Sequence, residues 1–360
     1  MEKRKRVFVG VSGGVDSSVA LALLKRDGYD VTGVFLRVWS PDFLPCDWKE
    51  ERRSAMRVCA TLGVPFLTLD CQKEYKREVV DYMIREYSNG RVPNPDVFCN
   101  KYVKFGVFLK KALKLGADYV ATGHYARTEE RTKRLELKEG MDKNKDQSYF
   151  LYTLNQKQLK HILFPIGKMM KPEVRKLAKK FGLSTAEKKD SQGVCFLGKL
   201  DMKDFLSHYI KQKKGSVLNT KKEIIGHHDG AMFLTIGQRH GFTITKKTTT
   251  DPRYFIISKD LKKNTITVAN KESEKNTIYS TRKICLSHIH FIGDKKLKLP
   301  LKMAVRIRYR QEKQKCVLNK EKNKYVVIFN IPQNAIAEGQ SAVFYDGDVC
   351  LGGGIIEKTY

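Results

Sequence analysis

The stretch VFVGVSGGVDSSVALALL, residues 7–24, begins with the pattern of a buried β-strand and ends with that of an α-helix. Between the two lie Gly13 and Gly14, followed by Asp16. Glycines permit positive φ and a close backbone approach, and a helix N-terminus offers N–H groups to an anion. The stretch therefore predicts a phosphate-binding loop, although it lacks the lysine of the common P-loop.

Polar side chains in this loop strengthen the prediction. Ser12, Ser17 and Ser18 supply hydroxyl donors, and the Asp16 carboxylate is of a type that holds Mg²⁺. The structural alternative is a tight strand-to-helix turn in which Asp16 or Ser17 caps the helix.

Up to about residue 200 the pattern alternates between strand and helix. Strands are predicted at 7–9, 31–38, 65–69 and 119–121, and helices at 17–26, 49–62, 74–87 and 101–115. A further helix is predicted up to Phe181, with Pro172 in its first turn. Such alternation predicts a doubly wound parallel sheet with ligands at the carboxyl ends of its strands. Residues 10–18, 36–40 and 122–127 would then share one edge.

After about residue 210 the chain changes to short runs of β-branched and aromatic residues between turn signals. This pattern predicts an all-β part built as one or two small barrels, with a boundary near residue 280. The runs lie at 232–236, 254–257, 265–269, 305–309, 325–329 and 342–345.

The net charge of +30 over 360 residues indicates a polyanionic partner, because neutralised phosphates release counterions. A lysine-rich genome is the alternative, and the runs Lys221-Lys222 and Lys246-Lys247 fit it as well. No apolar run reaches the length of a membrane span. The opening MEKRKR leads directly into the first strand, which leaves no room for a targeting segment and predicts a cytoplasmic protein without a membrane partner.

The chain has eight cysteines and no Cys-x-x-Cys pair, which argues against zinc and thioredoxin-type sites. Cys99 and Cys195 differ from the others because they lie in loop contexts. Cys99 follows a proline-rich turn and is predicted to precede a helix, where a thiol has a lowered pKa. Together the two suggest sulfur transfer. Four cysteines in apolar surroundings are expected only to pack: Cys59, Cys71, Cys285 and Cys316.

The loop resembles that of the PP-loop ATP pyrophosphatases, which adenylate a carbonyl oxygen and release pyrophosphate. Further motifs make the resemblance specific to the tRNA-specific 2-thiouridylase family, and the match spans nearly the whole chain. In order they are SGGVDSS, NPDVFCNKYVKFG, ATGHYAR, KDQSYFLYTL, KDSQGVCFLG, TIGQR, RYRQ and GQSAVFYDGDVCLGGGII. One departure is the segment GFTITKKTTTDPRYF, residues 241–255, where the family has a glycine-rich turn.

The resemblance implies an α/β fold, with an adenine nucleotide hydrolase-like PP-loop domain over residues 1–205. A central β-rich domain (206–280) and a C-terminal β-barrel (281–360) would follow. The implied activity is ATP-dependent 2-thiolation of the wobble uridine, position 34, in tRNA for Lys, Glu and Gln. A cysteine desulfurase or sulfur-relay protein would be the sulfur donor.

Site residues follow from the same resemblance, position by position. Cys99 would be the nucleophile, Cys195 the persulfide carrier and Asp96 the general acid/base. Mg²⁺ would be held by the ATP phosphates and Asp16. The ATP-binding positions would be Gly10, Val11, Ser12, Gly13, Gly14, Val15, Asp16, Ser17, Leu36 and Gly123. The tRNA-binding positions would be Asn94, Pro95, Asp96, His124, Lys145, Asp146, Gln147, Arg308, Tyr309 and Gln340.

Plainer interpretations of several residues stay open. His124 would then only satisfy a backbone carbonyl, Tyr149 and Phe150 would belong to the core, and Arg308 with Arg310 would form a solvated stripe. Two other function classes also remain. An amide synthetase would use the loop but not the two cysteines, and a non-catalytic RNA-binding module would leave the loop idle.

Overall fold

A computed structural model describes residues 4–43, 48–189, 201–245, 253–270, 280–293 and 298–360. The strands are β1 (Arg6–Gly10), β2 (Asp30–Arg37), β3 (Phe66–Asp70), β4 (Tyr119–Ala121), β5 (Ala126–Arg131), β6 (Arg134–Glu139), β7 (Ile162–Leu163), β8 (Gly215–Leu218), β9 (Ile224–His228), β10 (Phe242–Ile244), β11 (Phe255–Asp260), β12 (Thr265–Ala269), β13 (Ser280–Phe291), β14 (Leu301–Arg306), β15 (Gln314–Glu321), β16 (Lys324–Asn334), β17 (Ser341–Asp346) and β18 (Val349–Thr359).

Helices accompany mainly the first half of the described chain. The α-helices are α1 (Val15–Arg26), α2 (Trp48–Thr61), α3 (Gln72–Tyr75), α4 (Asp81–Ser88), α5 (Pro95–Phe98), α6 (Leu109–Lys114), α7 (Gln156–Leu159), α8 (Lys171–Lys180) and α9 (Met202–Ser207). Lys76–Val80 and Cys99–Phe108 are π-helical, and Ser148–Phe150 and Ala231–Phe233 are 3₁₀-helical. No helix among the described residues has the length and apolar character needed to cross a membrane.

The first sheet is parallel, in the order β3-β2-β1-β4-β7. Because successive strand residues point to opposite faces, Val7 and Val9 pack with α1, α2 and α8, whereas Phe8 packs with the helix around Phe105 and Phe108. Helices therefore cover both faces, as the alternating pattern predicts. The predicted doubly wound sheet is confirmed.

Two further sheets follow. One has the order β10-β9-β8-β12-β11 and encloses a small core that includes Val217, Ile256 and Ile266. The other has eight strands in the order β13-β16-β15-β14-β17-β18-β6-β5, and β13 also pairs with β18. This last pairing closes six antiparallel strands into a barrel, so the predicted C-terminal β-barrel is confirmed.

Two of the predicted strand runs differ from the structure. Of the run at 305–309 only Val305 and Arg306 lie in a strand, at the end of β14. The run at 232–236 is not a strand. Residues 232–236 are apolar and β-branched, yet the chain forms a 3₁₀ turn at Ala231–Phe233. Gly230 and Gly237 both have positive φ, at 151° and 88°. These glycines bend the chain on either side, and Phe233 and Leu234 are buried without a strand partner in the described sheets.

The sequence does not predict the hairpin β5–β6. This hairpin follows β4 of the parallel sheet along the chain but belongs to the barrel sheet. Val349 and Cys350 of β18 pair with Lys138 and Leu137 of β6. Most residues from 126 to 139 are charged, so the sequence of this hairpin lacks the apolar alternation that predicts a strand. The strand that it pairs with lies more than 200 residues away, so local sequence does not reveal the pairing. A hairpin from the first half of the chain and the barrel strands therefore form one continuous sheet.

Four cysteines pack as expected. Cys59, Cys71, Cys285 and Cys316 are all buried. Burial raises the pKa of the first two thiols to about 11 and that of Cys316 to about 12. These thiols stay protonated near neutral pH and behave as small apolar side chains.

A buried ion network joins the hairpin end to the barrel. Arg306 donates to Asp146 at 2.7 Å and lies 2.9 Å from Glu139, and both carboxyl side chains are only 2% exposed. Lys313 and Lys143 also contact Glu139, at 3.1 and 2.8 Å. Removing one partner of such a network leaves a buried charge uncompensated.

We predict that Arg306→Met lowers the free energy of unfolding by about 3–5 kcal/mol, because the buried Asp146 loses its ion-pair partner and Glu139 keeps only its two lysines. Lys143→Met is the control. Its side chain is 60% exposed, and its loss is expected to cost less than about 1 kcal/mol. Urea denaturation of both variants measures the difference, and equal midpoints would show that the network does not hold the two parts together.

Candidate active site

The loop after β1 forms a compact polar turn. The Ser12 amide donates to the Ser17 hydroxyl at 3.2 Å, and the two serine hydroxyls lie 3.3 Å apart. The Ser17 and Ser18 hydroxyls both donate to the Gly14 carbonyl, at 3.2 and 2.8 Å. Helix α1 starts at Val15 with Gly14 as its N-cap and no side-chain cap. The capped-turn alternative for Asp16 and Ser17 is therefore wrong.

Two glycines bring other elements against this loop. Gly13 has φ +74°, and a Cβ there would lie 2.6 Å from the Glu51 carbonyl oxygen of α2. Gly123 follows β4, and a Cβ there would lie 2.6 Å from the Ser17 amide nitrogen. Only glycine permits this approach, so residues 10–17 and Gly123 come together at the carboxyl edge of the sheet. Val11 and Val15 are buried beneath them, and Leu36 lies half-buried near the end of β2.

The Asp16 carboxylate has partners inside the protein. The Lys171 ammonium donates to its two oxygens at 2.7 and 2.8 Å, and the Tyr125 hydroxyl donates at 2.9 Å. Lys171 opens α8, its side chain is 10% exposed, and its backbone amide donates to Asp142 at 3.0 Å. A cation from far along the chain thus neutralises the carboxylate of the loop.

A second lysine also reaches the loop. The Lys188 ammonium donates to the Gly13 carbonyl at 3.0 Å, and the Ser54 hydroxyl donates to the same carbonyl at 3.1 Å. Neither Lys171 nor Lys188 was predicted as a site residue. Lys171 precedes a proline at a helix start, which marks the helix but not the spatial neighbour.

The segment with Asn94, Asp96 and Cys99 is helical earlier than predicted. Helix α5 begins at Pro95, and the Asn94 side chain caps it by accepting from the Val97 amide at 3.4 Å. Cys99 is buried and lies after the first turn of this helical run, so the expectation that it precedes a helix is wrong. Asp96 occupies the first turn instead.

Asp96 and His124 both lie near one lysine. Burial raises the pKa of Asp96, and the Lys104 ammonium opposes that rise. Burial lowers the pKa of His124 well below its usual value, and Lys104 lowers it further. The imidazole Nδ1 lies 2.7 Å from the Thr122 hydroxyl. His124 is therefore neutral near pH 7, and its partner is a side chain rather than the backbone carbonyl of the plainer interpretation.

The positions 145–147 are held mainly by the protein itself. Asp146 is buried and accepts from the Gly140 and Ser148 amides at 3.1 and 3.0 Å, besides its ion pair with Arg306. The Gln147 side chain accepts from the Tyr125 amide at 3.1 Å. Lys145, which precedes these two residues in the sequence, is half-buried. Their predicted contact with tRNA stays a prediction.

The barrel positions lie near the same region. The Tyr309 ring is 4.5 Å from the Phe150 ring, and Tyr149 is fully buried, which agrees with its assignment to the core. Arg308 is exposed and donates to the Ala335 carbonyl. The Gln340 amide donates to the Val92 and Pro93 carbonyls at 3.0 and 3.1 Å. Cys195, the motif KDSQGVCFLG beyond Lys189, and Lys246-Lys247 lie outside the described residues.

Comparison with known proteins gives the same three-part organisation in family terms. Residues 5–199 match the description tRNA methyl transferase HUP domain, residues 203–279 the tRNA methyl transferase PRC-barrel domain, and residues 281–356 the aminomethyltransferase beta-barrel domain. The curated tRNA-specific 2-thiouridylase MnmA of Pseudomonas aeruginosa (strain UCBPP-PA14) is 44% identical over 361 residues, which cover 99% of this chain and 96% of the relative. The chain belongs to the tRNA-specific 2-thiouridylase family.

A second family member, the curated MnmA of Geobacillus thermodenitrificans (strain NG80-2), is 44% identical over 358 residues, with 99% of this chain and 95% of the relative covered. The resemblance found in the sequence is confirmed. Among solved structures, the U34-tRNA thiolase NcsA from Methanococcus maripaludis covers 57% of this chain and 65% of its own, at 17% identity and a TM-score of 0.37. That likeness is too low to add to the family match.

We predict that Gly123→Ala weakens ATP binding at least tenfold, because its Cβ would displace the Ser17 amide at the start of α1. Gly293→Ala is the control, since a Cβ there meets nothing within 4 Å. Isothermal titration with a non-hydrolysable ATP analogue measures both. Wild-type affinity in Gly123→Ala would remove this glycine from the nucleotide site.

Proposed function

We propose that this chain is a tRNA 2-thiouridylase that uses ATP to replace the C2 oxygen of uridine 34 by sulfur in tRNA for Lys, Glu and Gln. The observation that carries the proposal is the junction at residues 123 and 124. Gly123 packs against Ser17 in the phosphate loop. The Lys104 ammonium lowers the pKa of the neighbouring His124 and also that of Asp96 in the cysteine-bearing segment, so both groups feel the same charge. The bound nucleotide would thus lie beside Gly123, and the uracil that reacts would lie beside His124, the next residue.

The first step is adenylation. The C2 oxygen of the uracil attacks the α-phosphate of ATP, and pyrophosphate leaves. The loop residues 10–17 and the first turn of α1 supply hydroxyl and N–H donors for the phosphates. Lys171, which lies 2.7 Å from Asp16, supplies the cation. Asp16, whose charge Lys171 balances in this structure, would together with the ATP phosphates hold Mg²⁺, which would offset the charge of the leaving pyrophosphate.

Asp96 and Asn94 would bind the uracil ring, and Asp96 would exchange a proton with it. Because burial raises the pKa of Asp96, this carboxyl holds a proton at a higher pH than an ordinary aspartate and is suited to exchange one with the base. Neutral His124 can accept or donate a hydrogen bond without adding charge beside the adenylated oxygen.

The second step transfers sulfur. The terminal sulfur of a persulfide on Cys195 attacks C2, and AMP carries away the former C2 oxygen. The Cys99 thiolate attacks the inner sulfur, which leaves C2 as a thiocarbonyl and joins Cys99 to Cys195 as a disulfide. A reductant then restores both thiols, and a cysteine desulfurase or sulfur-relay protein reloads the persulfide.

Substrate binding would draw on the positive charge of +30. Arg308 is exposed, and the Tyr309 ring lies 4.5 Å from the Phe150 ring of the first half of the chain. We propose that tRNA contacts these two residues together with Lys145 and Gln147. The proposal puts the enzyme in the cytoplasm, with its tRNA substrate.

The decisive experiment incubates the purified chain with ATP, Mg²⁺, a persulfide donor and unmodified tRNA. AMP, pyrophosphate and 2-thiouridine are then quantified. We expect all three products in equal amounts, and none without tRNA. ATP cleavage that needs ammonia instead of tRNA would indicate an amide synthetase, and tRNA binding without ATP cleavage would indicate a binding module.

We predict that Lys171→Met slows pyrophosphate release at least tenfold, since a charged hydrogen bond is worth about 1.5–3 kcal/mol. Lys168→Met is the matched control, because it removes the same charge from an exposed position three residues earlier. Pyrophosphate release at varied ATP concentration measures both. Equal rates in the two variants would exclude Lys171 from the phosphate site.

We predict that Cys99→Ala abolishes 2-thiouridine formation but keeps tRNA-dependent pyrophosphate release and the persulfide on Cys195. Cys71→Ala is the control, because Cys71 is buried in the same hydrophobic cluster as Cys99. That variant is expected to lose some stability and to thiolate tRNA normally. Nucleoside and intact-protein mass spectrometry distinguish the two, and thiolation by Cys99→Ala would overturn the assignment.

A further inference from the structure

A loop of the barrel holds the backbone that leads into the cysteine-bearing segment. The barrel loop, residues 337–341, lies between β16 and the start of β17. The Val92 amide donates to the Glu338 carbonyl at 2.8 Å, and the Gln340 amide donates to the Val92 and Pro93 carbonyls at 3.0 and 3.1 Å. Three hydrogen bonds thus fix two consecutive residues of the segment.

Close packing reinforces these bonds. Gly339 has φ +94°, and a Cβ there would lie 2.9 Å from both the Val92 nitrogen and the Val92 oxygen. The Arg91 guanidinium donates to the Ile356 carbonyl of β18 at 3.1 Å. The barrel loop is itself held by β18, because Gly339 donates to Ile356 at 2.9 Å and Ile356 donates to Gln340 at 2.8 Å.

The held residues lead directly to the candidate catalytic groups. Asn94 follows Pro93 and caps the helix that carries Asp96 and continues into Cys99. The Tyr149 hydroxyl donates to the Ser341 carbonyl of the barrel at 2.8 Å. The entry to the helix that carries these groups therefore depends on the barrel loop through Val92 and Pro93.

We propose that Gln340 is a positioning residue, which sets the geometry of residues 94–99 for the thiolation step through its hydrogen bonds to Val92 and Pro93. This inference rests on the proposed thiouridylase function. It gives Gln340 a role within the protein in addition to the tRNA contact expected from the sequence. The side-chain amide of Gln340 already donates to the Val92 and Pro93 carbonyls without tRNA present. A glutamine needed only to contact tRNA would not require these two bonds.

Gln340→Met tests the proposal, because methionine keeps the length of the side chain and donates no hydrogen bond. At saturating tRNA we expect kcat for thiolation to fall at least tenfold while the thermal midpoint stays within about 2 °C of wild type. Amide hydrogen exchange of the peptide covering residues 91–99 should quicken at least tenfold, without tRNA present. Gln314→Met, another half-buried barrel glutamine that bonds only within the barrel, should change neither.

A glycine pair gives a second and independent test. Gly339→Ala would push against the Val92 backbone, whereas Gly28→Ala, after α1 with φ +88°, meets nothing within 4 Å. The two positions have nearly the same φ, +94° and +88°, so the backbone strain of alanine is similar at both, and only the first should lower kcat and protection of residues 91–99. If Gln340→Met does not fold, this pair decides.

The outcomes separate the possible roles. Wild-type kcat in Gln340→Met or Gly339→Ala, with or without weaker tRNA binding, would overturn the positioning role and leave Gln340 as a tRNA contact. A wild-type protein that forms no 2-thiouridine would contradict the proposed function instead. In that case the hydrogen-exchange comparison still tests whether the barrel loop holds the segment.

Discussion

The ion pair between Asp16 and Lys171 is the contact on which the nucleotide end of the molecule depends. It joins the first turn of α1 to the first turn of α8, 155 residues later along the chain. A carboxylate so close to a phosphate loop would repel an incoming anion, and the ammonium cancels that repulsion. Tyr125 shares the same carboxylate and belongs to the strand connection that also carries Gly123 and His124. The loop, the end of β4 and α8 are thereby fixed as one unit.

The other end of the site depends on the barrel. The hairpin β5–β6 pairs with β18, and Arg306 neutralises Glu139 and Asp146 where the hairpin ends. The segment around Val92 is held from the same barrel, through Glu338 and Gln340. Two separate stretches of the first half of the chain therefore take their positions from segments more than 150 residues away, so their placement in the fold could not be predicted from local sequence.

Much of the parallel sheet could be predicted because its determinants are local. The Val7–Val9 strand, Gly13 and the helix after them lie within twenty residues, and β4 with Gly123 repeats the same logic. The partners that complete the site were not predictable in this way. Lys171 and the hairpin lie near the site only through tertiary packing, and residues 232–236 show that β-branched composition yields to flanking glycines. The helix start at Pro95 rather than after Cys99 follows from the Asn94 cap, a signal that is visible in the sequence as Asn-Pro-Asp.

Under the proposed function, the dependence of residues 94–99 on the barrel would serve the chemistry. An adenylated uracil would be useful only if sulfur reached C2 before water, so the cysteine-bearing segment would have to be in place when the nucleotide reacts. If the barrel also contacted tRNA, as proposed, its hold on Val92 and Pro93 would link these two requirements. Binding energy from a distant part of the substrate can then be used to orient the reacting groups, which raises kcat rather than affinity. The pKa of Asp96, which desolvation raises and Lys104 lowers, would change if this segment moved.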